Sequence, residues 1–331
     1  MLLCRCAGQF VSAVSFPVEN RKAGNKRPVG MRSRQNRILD FKGNGIFMGK
    51  ILYFDCYAGI SGDLTLGAFV DLGVKPEYLQ AQLDLLGISD EFELTAEPKK
   101  VREICGTQVG VHITGRHHHD HSHACNYSCG AEPPHVHESR GGHVHGRSLA
   151  DILDLIRCSG LNENTKRLAG RIFRVIGEAE AKVHAVPLQD VHFHEVGAVD
   201  SIVDVIGAAV CIDLLKPDAI YCSPVHDGSG FIECAHGTIP IPVPAVVELL
   251  KNSGIAIVSD DVPTEMVTPT GMGILKGAGA VCRRIPPMVV EASGTGYGTR
   301  DTGKASGLRI LFGTDRKDLL DKPEDSDKIK E

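Results

Sequence analysis

The fold is decided by residues 51–72, which read ILYFDCYAGISGDLTLGAFVDL. The four consecutive apolar residues 51–54 predict a buried strand that runs into Asp55. Ser61 has a side chain that favours the start of a helix, and the apolar residues after it predict a helix through about Leu72. A strand, a turn and a helix in this order are typical of an α/β protein.

The rest of the chain continues to mix strands and helices. Residues 91–96 and 106–114 alternate in polarity, which predicts an antiparallel pair, and residues 168–183 place apolar side chains on one helical face. Residues 191–195 alternate like a strand and lead into a predicted helix at 199–215. Further elements are predicted at 77–86, 149–156, 219–222, 245–250, after 268–271, at 288–292 and at 308–312. We therefore expect an α/β fold, a mixed sheet core with flanking helices and a disordered His-rich insertion loop.

The composition is that of a soluble globular protein of 331 residues, with 42% hydrophobic and 23% charged residues. This balance argues against fibrous and disordered classes. Asp204 and Asp213 interrupt the most apolar stretch before it reaches the length of a membrane span, so no membrane association is expected. Eleven cysteines without a secretory signal favour reduced thiols in the cytoplasm. The absence of Trp argues against a base-stacking surface for nucleic acid.

Charge divides the chain into parts. Residues 1–47 contain nine Lys or Arg and two Asp or Glu, and they lack helical or strand periodicity. We expect them to be a disordered or mis-assigned extension before Met48, with a targeting arm as the alternative. The folded body is predicted at 48–314. A disordered, charged tail is predicted at 315–331.

A histidine-rich segment lies within the body at residues 117–145. Its nine histidines are His117, His118, His119, His121, His123, His135, His137, His143 and His145. Imidazole binds nickel, zinc and copper, so we expect this segment to capture or store such ions. Its composition does not select nickel among them. The alternative is a solvated loop without a fixed metal site.

A second group of polar residues lies in one short stretch. It consists of His192, His194, Glu195, Asp200 and Asp204. Strand alternation places the two imidazoles on one face, and helical spacing places the two aspartates on another. Two carboxylates at this spacing repel each other, which favours a metal or a proton-transfer role. The alternative is that the aspartates cap a helix and the histidines are packed polar groups.

Two further groups have weaker patterns. Asp55, Ser61, Gly62 and Asp63 lie where the first strand ends and the next helix begins, a place where α/β proteins bind ligands. Common helix-start residues explain that pattern equally well. His236 and Gly237 follow Cys234 closely, but without the spacing of a zinc finger.

Several runs together resemble one known family. They are FDCYAGISGD at 54–63, VHFHEVGAVDSIVD at 191–204, AHGT at 235–238 and TPTG at 268–271, with the histidine-rich segment between the first two. Their order and sequence resemble the LarC family, the nickel-insertion proteins of nickel-pincer cofactor synthesis. The resemblance extends over about residues 48–312.

The resemblance implies a nickel chelatase or cyclometallase, a lyase that forms metal–ligand bonds. Its substrates would be Ni(II) and pyridinium-3,5-bisthiocarboxylic acid mononucleotide, and the product would serve lactate racemase-type enzymes. CTP, with Mg or Mn, would be held by a further C-terminal domain that family members have after position 312. We expect that domain to be a separately encoded partner, with a truncated copy of the protein as the alternative, and we expect a homo-oligomer.

We expect the predicted polar groups to form one pocket. His192, His194, Glu195, Asp200, Asp204, Asp55 and Asp63 would be catalytic, with Ser61, Gly62, His236 and Gly237 binding the organic substrate. Two other functions remain open. A non-catalytic nickel chaperone or store would depend on the histidine-rich segment alone, and a metal-dependent hydrolase would use the pair His192 and His194.

Overall fold

A seven-stranded mixed sheet lies at the centre of the computed structural model, which describes residues 49–114, 147–193, 196–234, 236–304 and 306–316. The strands are β1 (Lys50–Asp55), β2 (Phe92–Val101), β3 (Ile104–Ile113), β4 (Ala219–Cys222), β5 (Val225–Asp227), β6 (Phe231–Cys234), β7 (Gly237–Pro240), β8 (Ile257–Ser259), β9 (Val281–Cys282), β10 (Met288–Tyr297) and β11 (Leu308–Asp315). The helices are α1 (Gly62–Leu72), α2 (Pro76–Leu83), α3 (Leu149–Cys158), α4 (Glu163–His184), α5 (Val199–Leu215), α6 (Pro244–Leu250) and α7 (Pro269–Ala278).

The strand order in the main sheet is β2-β3-β10-β11-β1-β4-β9. β1 runs antiparallel to β11 and parallel to β4, while β2 and β3 form an antiparallel hairpin at the edge. Two small sheets, β5 with β8 and β6 with β7, lie outside it. The expected α/β class and mixed sheet are therefore confirmed.

The two faces of β1 pack differently. Leu52 and Phe54 are fully buried in the main core together with residues of the helices. Ile51 and Tyr53 instead join Leu311 in a small cluster to which no described helix contributes. Successive side chains of a strand point to opposite faces, so the helices cover one face of the sheet at β1.

α1 packs closely on β10. A Cβ atom at Gly296 would lie 1.9 Å from the Leu64 carbonyl oxygen, so only glycine fits this crossing. The glycine-rich run at 294–298 therefore serves packing, since its first four residues belong to the strand.

Most predicted elements are present with small shifts at their ends. The predicted helix at 199–215 is α5 itself, and the strand at 219–222 is β4. The predicted strand at 191–195 is wrong for its described residues, because His192 makes only an isolated bridge with Ser148. Val191 and Phe193 are buried there, so the alternation reflects packing on the helical core.

Three predictions fall largely or wholly outside the described residues. They are the extension at 1–47, the loop at 117–145 and most of the tail at 315–331. None of the described helices combines the length and the apolar character needed to cross a lipid bilayer.

Candidate functional site

Three helices begin at one cavity of about 630 Å³, which we call the acid cavity. α1, α5 and α7 each contribute residues of their first two turns to its wall. Among its lining residues are Ser61, Gly62, Asp63, His112, Asp200, Asp204, Glu265, Thr268, Thr270 and Arg300. Helix N-termini present free N–H groups and a partial positive charge, which stabilises the carboxylates placed there.

Local sequence explains why two of the helices start at the cavity. The Ser61 hydroxyl accepts a hydrogen bond from the Leu64 N–H at 3.4 Å, and Pro269 follows the N-cap Thr268 of α7. The Thr268 hydroxyl accepts the Gly271 N–H at 3.1 Å. Hydroxyl caps and a proline in the first turn are standard helix starts. Ser61 and Thr268, which cap α1 and α7, also line the cavity.

Asp204 is the buried carboxyl of the cavity. Its Oδ1 atom has no hydrogen-bond partner among the described residues. Burial raises the pKa of Asp204 well above its usual range, and the negative charges of Asp63 and Asp200 raise it further. The three carboxyls thus act on one another, and Asp204 binds a proton more tightly than an ordinary aspartate.

Gly62 allows Asp204 to reach this position. A Cβ atom at Gly62 would lie 2.2 Å from Asp204 Oδ2 and 2.5 Å from its Cβ. Gly271 is required in a similar way, because a Cβ there would lie 2.3 Å from the Ile60 carbonyl oxygen. Gly62 and Gly271 therefore allow α1, α5 and α7 to approach one another. Both glycines lie in runs that carry the family resemblance.

The residues flanking the histidine-rich segment are anchored near the acid cavity. Thr114, on its N-terminal side, donates its N–H to the Glu91 carbonyl at 3.0 Å. Arg147, on its C-terminal side, binds both Glu91 carboxylate oxygens at 2.6 and 2.8 Å and donates its N–H to the Gly197 carbonyl at 3.2 Å. His112 lines the cavity two residues before Thr114, and Gly197 precedes α5 by two residues.

Two predicted site residues lie elsewhere. Asp55 is on the sheet face of Ile51 and Tyr53, where it pairs with Arg309 at 2.5 Å. Strand alternation explains this position, since Asp55 is an odd-numbered residue of β1 like those two. His192 is exposed beside Ser148 and does not line the acid cavity.

The predicted pair His236 and Gly237 lies in the hairpin of β6 and β7. The His236 ring packs against the His184 ring with centroids 5.0 Å apart, and its Nδ1 is 3.9 Å from the Cys234 sulfur. Neither residue of the pair lines the acid cavity. The structure thus brings together Ser61, Gly62, Asp63, Asp200 and Asp204. His194 and Glu195 lie outside the described residues.

A second cavity, of about 540 Å³, shares a wall with the first, and we call it the basic cavity. The residues common to both are Ser61, Asp63, Glu265, Thr268, Thr299 and Arg300. Its cationic lining residues are Lys99, Lys100, Arg102, Arg300 and Lys304. A third cavity, of about 720 Å³, lies between α4, α5 and β4 and contains no predicted site residue.

Lys304 belongs to a charged cluster at the basic cavity. Its Nζ is 2.5 Å from Asp260 Oδ2 and 3.8 Å from the centroid of the Tyr57 ring. His226 Nδ1 is 3.1 Å from the same carboxylate oxygen. The hydrogen bond from Lys304 is the main cause that holds the pKa of Asp260 below its usual range, and His226 adds to it.

Metal ligands are not preassembled in the part of the chain that the structure describes. No group of three His, Cys, Asp or Glu side chains there is arranged to hold a metal ion. The predicted ligands at 117–145 lie outside the described residues. No sequence pattern points to His112, Glu265, Arg300 or Lys304, which come from separate loops and strands and share no motif.

Comparison with known proteins gives one consistent family. The family described as nickel insertion protein matches residues 52–330. Proteins named pyridinium-3,5-bisthiocarboxylic acid mononucleotide nickel insertion protein are 47% identical over 266 residues in Acetivibrio thermocellus and 42% identical over 270 residues in Lactiplantibacillus plantarum. A protein of the same name from Clostridium acetobutylicum is 43% identical over 277 residues.

These alignments cover 80%, 79% and 80% of this chain and 60%, 61% and 64% of the Acetivibrio, Lactiplantibacillus and Clostridium proteins, respectively. The chain therefore spans less than two thirds of the length of the curated relatives it matches. No solved structure matches the chain.

Proposed function

This chain belongs to the nickel insertion protein family, and we propose that it takes part in inserting Ni(II) into pyridinium-3,5-bisthiocarboxylic acid mononucleotide. The names of its relatives support this substrate. Nickel is a substrate of the reaction, and the organic acceptor offers two sulfur ligands. The two sulfur atoms are soft ligands, and nickel is a metal that such ligands can hold.

The proposed chemistry requires a proton acceptor. Forming two Ni–S bonds and one Ni–C bond on the pyridinium ring displaces one ring proton for each nickel bound. We propose that the carboxyls of Asp63, Asp200 and Asp204 receive that proton. The raised pKa of Asp204 supports this role, because a carboxylate with high proton affinity is the stronger base.

The charge of nickel would ionise Asp204 before this carboxyl accepts the ring proton. In the absence of a cation, Asp204 retains its proton over a wider pH range than an exposed aspartate. A dication nearby favours the ionised carboxylate, so Ni(II) arriving at the acid cavity would release the Asp204 proton to solvent. The ionised group would then accept the ring proton as carbon bonds to nickel.

The nickel supply is proposed to be the histidine-rich segment at 117–145. Its two flanking residues are both fixed to Glu91, and Arg147 is also bound to Gly197 near the start of α5. His112 lines the acid cavity close to the other flank. These anchors support delivery to the cavity, and His192, His194 and Glu195 remain candidates for the path.

The remaining parts of the proposal concern the whole protein. We propose a cyclometallase of the lyase class that uses CTP, with Mg or Mn bound in the additional length that the relatives have. Its product would serve lactate racemase-type enzymes. We also propose that the chain works in the cytoplasm as a homo-oligomer. The family resemblance in the four sequence runs supports these points.

The observation that carries the proposal is the grouping of Asp63, Asp200 and Asp204 around one cavity, near which Thr114 and Arg147 on either side of the histidine-rich segment are anchored. The test is an insertion assay with purified chain, Ni(II), CTP and the organic substrate. It is run with and without the additional C-terminal part of the Acetivibrio relative. We expect the nickel-containing product, identified by mass, in the complemented mixture. No product in either mixture would contradict the proposal, and substrate cleavage without nickel uptake would indicate a hydrolase.

A further inference from the structure

We propose that the basic cavity binds the phosphate of the mononucleotide, so that its pyridinium ring lies in the acid cavity. This inference rests on the proposed function and assigns the orientation of its organic substrate. The ligand class is a phosphate monoester joined through ribose to a pyridinium ring with two thiocarboxylates. The charged side chains that line the acid cavity are mainly carboxylates, whereas the basic cavity also has lysines and arginines to which a phosphate could bind.

Two lysines of the basic cavity are held in place by the protein. Lys304 has 10% of its side chain exposed and is fixed by the Asp260 carboxylate and the Tyr57 carbonyl, the latter at 3.1 Å. Lys99 donates to the Gly298 carbonyl at 2.6 Å. A cation whose position is fixed before binding loses little side-chain entropy when an anion arrives.

Arg300 is the cation best placed to reach both cavities. It lines each of them, its side chain is 57% exposed, and its Nη1 is 3.2 Å from both the carbonyl and Oε2 of Glu265. The planar guanidinium has five N–H donors, so it can keep Glu265 while its other donors bind a phosphate oxygen.

Lys304 and Lys100 of the basic cavity are paired with Asp260 and Glu103, which lie outside its lining, and three carboxylates lie within the lining. These three are Asp63, Glu265 and Asp301, against the five cations named above. Glu265 is paired with Arg300, and Asp63 accepts the Leu64 N–H at 2.9 Å at the start of α1. Among the described residues no carboxylate pairs with Lys99 or Arg102, so these two cations, together with Arg300, are the groups that would bind a phosphate dianion.

Because the acid and basic cavities share a wall, one ligand could occupy both of them at the same time. Ser61, Thr268 and Arg300 lie between the cavities. A ribose-linked ring with its phosphate beside Lys99 and Lys304 would extend past this wall toward Asp63 and Asp204. The ring end would carry a net positive charge once its thiocarboxylates bind Ni(II), which suits the acid cavity, whereas the reverse orientation would place phosphate against carboxylates.

Binding of nicotinic acid mononucleotide, a stable pyridinium carboxylate with a ribose phosphate, tests the inference. It is measured by isothermal titration calorimetry on the full chain, without metal. We expect Arg300→Gln and Lys99→Gln each to raise its Kd about tenfold, the value of one lost charge-assisted hydrogen bond. The matched control is Arg309→Gln, because Arg309 is 53% exposed and paired with Asp55 on the other sheet face. We expect that variant to keep the wild-type Kd.

The riboside without phosphate provides the second arm, and its Kd should be the same in all four proteins. Equal Kd values for the mononucleotide in Arg300→Gln and Arg309→Gln would overturn the inference. So would weakened CTP binding in Arg300→Gln with unchanged mononucleotide binding, which would assign the cavity to CTP. The binding experiment contains no nickel, so it does not measure insertion. Unchanged mononucleotide binding would overturn the inference, and the insertion assay would still test the proposed function.

Discussion

At the scale of single residues, Asp204 links stability to pH. Its folded-state pKa is raised, so the unfolded chain ionises first as pH rises and folding is progressively disfavoured above the ordinary aspartate pKa. Asp204→Asn removes this cost. We expect the variant to have a higher Tm than the wild type at pH 8, by a few degrees for each ~1 kcal/mol gained, and a smaller difference at pH 5. Thermal unfolding at the two pH values measures this, and a lower Tm of the variant at pH 8 would contradict the assigned pKa direction.

Gly62 is a second residue on which the acid cavity depends. Gly62→Ala places a Cβ 2.2 Å from Asp204 Oδ2, so α1 and α5 must separate. We expect a loss of about 1–3 kcal/mol in the free energy of unfolding, as for other overpacked sites. Urea denaturation measures the loss.

Gly170→Ala is the control for this substitution. Gly170 is in the middle of α4, and a Cβ there would meet only Leu153 Cδ2 at 3.8 Å. Alanine is the better helix former, so we expect the control to be neutral or stabilised by up to about 1 kcal/mol. Equal effects of the two substitutions would show that the contact of Gly62 with Asp204 is unimportant for stability.

Residue patterns in the sequence predicted part of the candidate site. Ser61, Gly62 and Asp63 were found because they begin a helix, and Asp200 and Asp204 because carboxylates one helical turn apart repel. Asp55 is close to these residues in sequence, but it alternates with Phe54 along β1. It therefore shares the sheet face of Ile51 and Tyr53, away from the main core. Arg300 and Lys304 could not be found, because their role arises only when distant segments meet.

At the scale of elements, Asp227 connects the end of β5 to the segment that leads into α7. Its buried Oδ1 accepts the N–H groups of Gly228, Met266 and Val267 at 2.8, 2.9 and 3.1 Å. Asp227→Ala leaves three buried donors without this acceptor. We expect it to lower the free energy of unfolding by about 3 kcal/mol or more, measured by urea denaturation.

Asp227→Asn is the matched variant, since it keeps the accepting oxygen. Burial raises the pKa of Asp227 despite these hydrogen bonds, so replacing the carboxyl by a neutral amide adds no charge penalty. We expect its free energy of unfolding to stay within about 1 kcal/mol of the wild type. A loss as large as that of the alanine variant would indicate that charge, rather than the accepted hydrogen bonds, is important.

Elements with strong local signals were predictable from sequence, and short ones were not. α5 has a long apolar run and α1 a hydroxyl cap, so each is specified by its own residues. β5, β8 and β9 have only two or three residues, too few for a periodic pattern, and their partners are distant in sequence. Residues 191–193 show that alternation reports burial of every second side chain, with or without a sheet.

At the scale of the whole molecule, the site is created by the convergence of α1, α5 and α7. The sequence supplies the order of these helices, but their distances depend on how each packs on the sheet and on the others. Arg147, next to the histidine-rich segment, is bound to Gly197 just before α5, so this flank of the segment lies near the acid cavity. The proposed supply of nickel and the proposed chemistry therefore belong to different parts of the chain and can be tested separately.

Replacing all nine histidines of residues 117–145 by serine tests this separation while keeping the chain length. We expect the insertion rate to fall at limiting Ni(II) and to return to the wild-type value at saturating Ni(II), because only capture is impaired. Rates are measured in the complemented assay across a nickel titration. Loss of activity that excess nickel does not restore would mean that the histidines act in the reaction itself. Nickel binding by the wild type without any insertion would support a store.

The most direct measurement of the central claim is the insertion rate of Asp204→Asn in the complemented assay at saturating nickel. Its control is Asp213→Asn on the same helix, where Asp213 accepts a hydrogen bond from Asn162 at 3.0 Å and lines neither the acid nor the basic cavity. We expect the rate of Asp204→Asn to fall at least about 100-fold, the scale of a lost general base, with Asp213→Asn within about twofold of the wild type. A wild-type rate in Asp204→Asn, with its folded state confirmed, would contradict the assignment of Asp204 as the base that accepts the ring proton.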